Sequence, residues 1–182
     1  MRRIILLAVF LVTCVFAYSQ NQDSINNFHI ENNRVVWKKV FQTSLDFEQL
    51  FSRAKDSGLF ENVEKEQAKI RGELKYIDAE PLEYGILDMD VALYINNNFM
   101  NGFVVIEFKQ GRYRVTLRRI MLTEKHVDTL NILGASSLIE REIFKLGKIE
   151  FNNQFKNRSS ILLNDMLTQY FDFNQMICDD NW

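Results

Sequence analysis

Apolar residues in this chain follow two rhythms, one alternating and one helical, and their order is the first guide to its architecture. Residues 34 to 41, Arg-Val-Val-Trp-Lys-Lys-Val-Phe, are rich in β-forming side chains and predict a strand. Phe47, Leu50, Phe51 and Ala54 then recur at i, i+3, i+4 and i+7, one stripe of a helix. Thr43 or Ser44 is placed to cap it, Asp46 and Glu48 suit its first turn, and Gly58 is placed to end it. A weaker pattern over Phe60–Glu66 predicts a short strand. Over Ala68–Ile77 the alternation is clear, with Ile70, Gly72, Leu74 and Tyr76 on one side and Lys69, Arg71, Glu73 and Lys75 on the other. Asp78–Gly85, with Pro81, reads as a loop. Leu87–Ile95 alternates again, with Met89, Val91, Leu93 and Ile95 inward, and Asn96–Gly102 reads as a turn-rich connection.

The most specific local signal is a hairpin. Phe103–Lys109 and Arg112–Leu122 flank Gln110-Gly111, and a two-residue turn there pairs Lys109 with Arg112. The ladder then follows. Phe108 meets Tyr113, Ile106 meets Val115 and Val104 meets Leu117 on one face. Glu107 meets Arg114 and Val105 meets Thr116 on the other. A slip of one residue would destroy that sorting of apolar and ionic pairs. Beyond Thr123, Ser136 or Ser137 with Glu140 predicts a short helix through Leu138, Ile139 and Ile143, stopping at Gly147. Ser159 or Ser160 opens a stronger one, striped by Leu162, Leu163, Met166, Leu167, Tyr170 and Phe171. Strand, helix, several antiparallel strands and then helices predict an α+β fold: an antiparallel β-sheet with helices packed on one face.

The N-terminus changes the picture of where this domain works. Arg2 and Arg3 precede the apolar run Ile4–Phe16, and Ala17-Tyr18-Ser19 supplies a small-residue cleavage site. The run is shorter than the roughly 20 residues a spanning helix needs. A signal peptide over 1–19 and export to the periplasm or beyond are therefore expected, with no transmembrane segment in the mature chain. A lipoprotein anchored through Cys14 is the alternative, since Leu11-Val12-Thr13-Cys14 looks like a lipobox. The expected organisation is then a flexible lead-in over 20–32, a single domain over 33–173 with 123–158 as a candidate insertion, and a tail over 174–182.

The mature chain would keep 163 residues, with 20 Lys+Arg against 24 Asp+Glu once Arg2 and Arg3 are removed. An acidic balance speaks against a nucleic-acid partner. Cys178 would be the one remaining cysteine, so burial rather than disulfides must hold the domain together, and fifteen Phe make that feasible.

The stretch Gly102–Ile120, and above all Lys109-Gln110-Gly111-Arg112-Tyr113-Arg114, resembles a family of exported bacterial proteins of unknown function. The family tends to show a Lys-Asp-Gly-Lys-Tyr-Arg type of hairpin at this point. The resemblance covers about 34–122, with Ile161–Phe171 fitting a terminal helix. It implies a TATA-binding-protein-like (TBP-like) fold, β-α-β(n)-α. Gln110 departs from the family's acidic turn residue, and the segments 87–95 and 123–158 lie outside what the resemblance explains. It implies no catalytic residues, and a fold name does not bring DNA binding with it.

Candidate chemistry is sparse. His29 and His126 are far apart, with no cysteine cluster near either, so no metal or other cofactor is expected. Glu80, Glu83, Asp88 and Asp90 crowd one region, and a hydrolase acting on envelope polymers through two of them is the alternative function. The leading reading is a non-enzymatic module that binds a protein or envelope component. Its expected surface joins Arg112, Arg114 and Arg118, on one face of a strand, to Lys109 across the turn and to Phe103 and Val105 beside them. Arginine with aromatic and aliphatic area is the composition of an interface core. The competing reading is a solvated face on which Glu107 and its neighbours neutralise the arginines.

Overall fold

The computed structural model describes residues 24–78, 92–125 and 134–175. Residues 1–19, expected to be a signal peptide, with Cys14, and also the acidic cluster Glu80–Asp90, His126 and Cys178 fall outside them. Its strands are β1 (Ser24–Ile25), β2 (Phe28–Glu31), β3 (Arg34–Gln42), β4 (Phe60–Glu66), β5 (Lys69–Asp78), β6 (Asn98–Lys109), β7 (Arg112–Glu124) and β8 (Ser136–Leu138). Its helices are α1 (Phe47–Asp56), α2 (Leu93–Asn96), α3 (Glu140–Ile143) and α4 (Ser160–Tyr170), the last preceded by a π-helical turn, Phe155–Ser159.

One antiparallel sheet runs β1-β2-β3-β7-β6-β5-β4, and β8 also pairs with β7. The β6–β7 hairpin has the register set by the sorting of its side chains: Lys109 opposite Arg112, Phe108 opposite Tyr113, Glu107 opposite Arg114, Ile106 opposite Val115 and Val104 opposite Leu117. Gly111 takes φ +78° in the turn, where a side chain would be strained.

The helices cover one face. Phe28, Trp37, Tyr113, Val115 and Leu117 are fully buried there against Leu162, Leu163, Met166, Leu167, Phe155 and Phe171. Phe41 stacks on Tyr113 at 5.0 Å, Trp37 meets Phe171 at 5.7 Å and Phe28 meets Phe155 edge-on at 5.2 Å. Two large aromatic side chains on this side have their polar tips satisfied. The Tyr113 hydroxyl donates to the Phe171 carbonyl at 2.8 Å and accepts from the Phe173 N–H at 3.0 Å. The Trp37 indole donates to Asn164 at 3.2 Å. Burial of this kind is what the phenylalanine content makes available to a domain whose described residues include no cysteine.

Several local expectations need correction. The lead-in expected over 20–32 is structured from Ser24 onward. Asn26-Asn27 and Asn32-Asn33 all have positive φ, the geometry of tight hairpin turns, and they fold β1, β2 and β3 into a meander that buries Phe28. Helix α1 is capped by Asp46, not Thr43 or Ser44: its carboxylate accepts from the Gln49 N–H at 2.8 Å, and the Gln49 side-chain oxygen accepts from the Asp46 N–H at 3.0 Å. The strand expected over 87–95 ends, in its described part, as a single turn of helix with Ile95 buried and Leu93 exposed. Asn98–Gly102 is not a connection but the start of β6, because pairing Met100 with Ile77 and Leu122 buries it. In β5 a bulge between Leu74 and Ile77 reverses the alternation, so Ile77 is buried and Tyr76 exposed.

The segment after Thr123 also differs. Ser136 and Ser137 pair with β7 rather than starting a helix. Ser159 and Ser160 lie inside a helical run already under way from Phe155, whose N–H is held by the Asn152 side chain at 2.8 Å. The Ser160 hydroxyl instead accepts from Asn26 at 2.8 Å, tying the first hairpin to α4. Ile139, Ile143, Phe151 and Phe155 are fully buried, so the described residues of the candidate insertion contribute to the same core.

Candidate functional site

The other face of the sheet carries no helix among the described residues, and its side chains can be read in rows across the strands. One row runs His29, Val36, Arg118, Phe103, Glu73, Glu61. The next runs Lys38, Thr116, Val105, Arg71, and the one after it Val40, Arg114, Glu107, Lys69. The last row holds Gln42, Arg112 and Lys109. Long polar side chains cover small ones here, since Val36 is 4% and Thr116 3% exposed.

These rows divide the six residues expected to form one surface. Lys109 and Arg112 are exposed beside the hairpin turn. Six residues of strand, about 20 Å, separate them from Phe103 and Arg118. Between the two ends, Arg114 donates from Nε to Glu107 at 3.0 Å and also through Nη2, and Lys69 approaches the other Glu107 oxygen at 3.2 Å. The Arg114 hydrogen bond, outweighing partial burial and aided by Lys69, holds the Glu107 carboxyl below the usual carboxylate range. Arg114 thus behaves as the solvated-face reading expects. Phe103 and Arg118 are direct cross-strand neighbours, with Val105 half-buried in the next row. Phe103 is 39% exposed, and no ion pair within 4.0 Å engages Arg118 among the described residues.

Strict alternation places Arg119 on the helix-covered face. The structure instead inserts one extra residue into β7: Asn101 pairs with Met121, but Phe103 pairs with Arg118. Arg119 absorbs the irregularity at φ +51° and is exposed beside Arg118, while Ile120 returns to the core. Gly102 lies opposite, and a Cβ there would stand 2.9 Å from both the Arg118 carbonyl oxygen and a Leu117 methyl. The bulge therefore requires glycine as its partner. Its signal was present in Leu117-Arg118-Arg119-Ile120, where two charged residues between buried ones break a period of two.

At the bulge the edge of β7 also changes neighbour. β3 pairs with it up to Val36–Arg118, and β8 takes over from Leu138–Met121. The fork leaves a cleft of about 750 Å³ lined by Arg34, Val36, Arg118, Arg119, Met121 and Leu138, among others. A second cleft, of about 530 Å³, lies across the bulge and shares Arg118, Arg119 and Met121; Glu61, Glu73 and Lys75 give it a mixed lining. Glu31 also borders the first cleft, where it is engaged by Lys38, and that bond, ahead of the nearby Arg118 charge, lowers its pKa. The Glu140 carboxylate accepts from the Val35 N–H at 2.9 Å and fastens α3 behind this part of β3.

Other candidate chemistry does not converge. Among the described residues no three His, Cys, Asp or Glu side chains are grouped to hold a metal ion. His29 sits alone of its kind on β2, its pKa lowered by burial and then by Lys38. No helix among these residues is long and apolar enough to cross a membrane.

No protein-family model matches the chain, and no curated protein matches it. Among solved structures it is similar to a TBP-like protein from Parabacteroides distasonis, at 15% identity and a TM-score of 0.46, over 80% of this chain and 95% of that one. It is also similar to a DUF4468 family protein from Bacteroides ovatus, at 13% identity and a TM-score of 0.43, over 78% of this chain and 88% of that one. The first carries the fold name implied by the Lys109–Arg114 resemblance. At these identities and TM-scores the likeness carries no activity over to this chain.

Proposed function

We propose that this chain is an exported, non-enzymatic binding module that meets a protein or envelope component through the open face of its sheet. The observation that carries this reading is the asymmetry of the sheet. One face is sealed by helices and aromatic rings, while the other presents Phe103 beside Arg118, which has no ion-pair partner among the described residues. Arginine and aromatic side chains, desolvated together when a partner binds, are typical of the residues that dominate binding energy. The N-terminal Arg2-Arg3 and apolar run support export.

The test is charge reversal. Tagged protein with Arg114→Glu and Arg118→Glu should lose a partner that the parent chain captures and that rebinds it when purified, with circular dichroism unchanged. Equal capture by the variant would show that this face is the wrong one.

A further inference from the structure

The forked cleft has a chemistry narrower than the face around it, and the inference drawn from it rests on the binding reading above. We propose that it receives an acidic segment of a protein partner, with carboxylates on Arg34, Arg118 and Arg119 and an apolar side chain against Val36, Met121 and Leu138.

Three features of the cleft lead there. First, Arg34, Arg118 and Arg119 are all exposed, and none has an ion-pair partner among the described residues. The one acid among the described residues that line the cleft, Glu31, is already held by Lys38. Three guanidinium groups around one concavity are a standing demand for oxyanions, which their paired N–H donors bind in a fixed geometry. Secondly, their placement follows from the backbone. The bulge brings Arg119 onto the same side as Arg118, and the Asn32-Asn33 turn places Arg34 at the start of β3, beside the fork. Thirdly, the apolar lining favours an occupant that carries aliphatic or aromatic groups between its charges.

Charge complementarity across the bulge selects the class of occupant. Glu61 and Glu73 line the neighbouring cleft. A uniformly charged polyanion, such as a nucleic acid or an anionic lipid surface, would be repelled there while it is attracted by the arginines. A short peptide segment, whose charge can change from one residue to the next, meets no such conflict.

The probe is a dye-labelled hexapeptide alternating glutamate and leucine, followed by fluorescence anisotropy with the full folded chain. Its glutamine–leucine counterpart and a dye-labelled oligodeoxythymidylate serve as comparisons. The acidic peptide should bind at least about tenfold more tightly than either. Arg34→Gln with Arg119→Gln should weaken it by about tenfold or more, the scale of lost charge-assisted hydrogen bonds, with circular dichroism unchanged. Absence of peptide binding, equal binding of the glutamine peptide, tighter binding of the oligonucleotide, or indifference to the double substitution would each overturn the proposal. Neither substitution touches Arg114 or Arg118. A partner lost on reversing those two, together with a peptide that ignores the cleft, would therefore sink this inference and leave the broader reading standing.

Discussion

Glu107 shows how a single side chain decides what a surface can do. It takes hydrogen bonds from Arg114 and an ion pair from Lys69, which removes the middle of the arginine row from the pool of free charges. Its folded pKa is lowered chiefly by Arg114, so its contribution to stability is fully present above the unfolded value, about pH 4.5, and is lost as pH falls through the folded value. Urea unfolding followed from pH 7 to pH 3 should show a decline in stability below about pH 4.5 that is shallower in Glu107→Gln. Parallel profiles for the two proteins would mean that the pair contributes nothing to that decline. Arg118, two rows away, has no such partner among the described residues, and its availability follows from which carboxylates its neighbours offer rather than from its own identity.

The elements show which physical signals a sequence carries on its surface. From the turn back to Val104–Leu117 the β6–β7 hairpin was legible to the residue, because Phe108–Tyr113, Ile106–Val115 and Glu107–Arg114 sort correctly in one register alone; its start at Asn98 and its bulge were not. The α1 stripe and the apolar side of α4 were legible for the same reason. The cap is a competition among Thr43, Ser44 and Asp46, settled for Asp46 because the Gln49 side-chain oxygen accepts in return from the Asp46 N–H. The tight Asn-Asn turns carried a local signal, since asparagine tolerates positive φ, but polar composition concealed it. Bulges are harder, because an extra residue is placed by the partner strand. Gly102→Ala tests the one that shapes the clefts. Its Cβ would overlap the Arg118 carbonyl and Leu117, so destabilisation of roughly 1–3 kcal/mol is expected from a lowered urea midpoint. An unchanged midpoint would show that the bulge does not need the close approach that glycine permits.

Across the whole molecule, the sequence foretold a sheet with one sealed side, since its apolar stripes have to be buried together. It foretold less about the open side. The six residues expected to act as one surface lie in several rows, with an ionic cluster between the ends, and Arg34 and Arg119 entered only through a turn and a bulge. A cleft built by two strands sharing one edge depends on contacts distant in sequence, so no local pattern announces it. The central claim is that this open face is where the molecule meets its partner. The most direct measurement places the photoreactive p-benzoylphenylalanine at Phe103 on that face and, separately, at Gln169 on α4, then illuminates living cells and compares the adducts. The account predicts a defined crosslinked species from position 103 and none from position 169. A species that forms only from position 169, or equally from both, would contradict it.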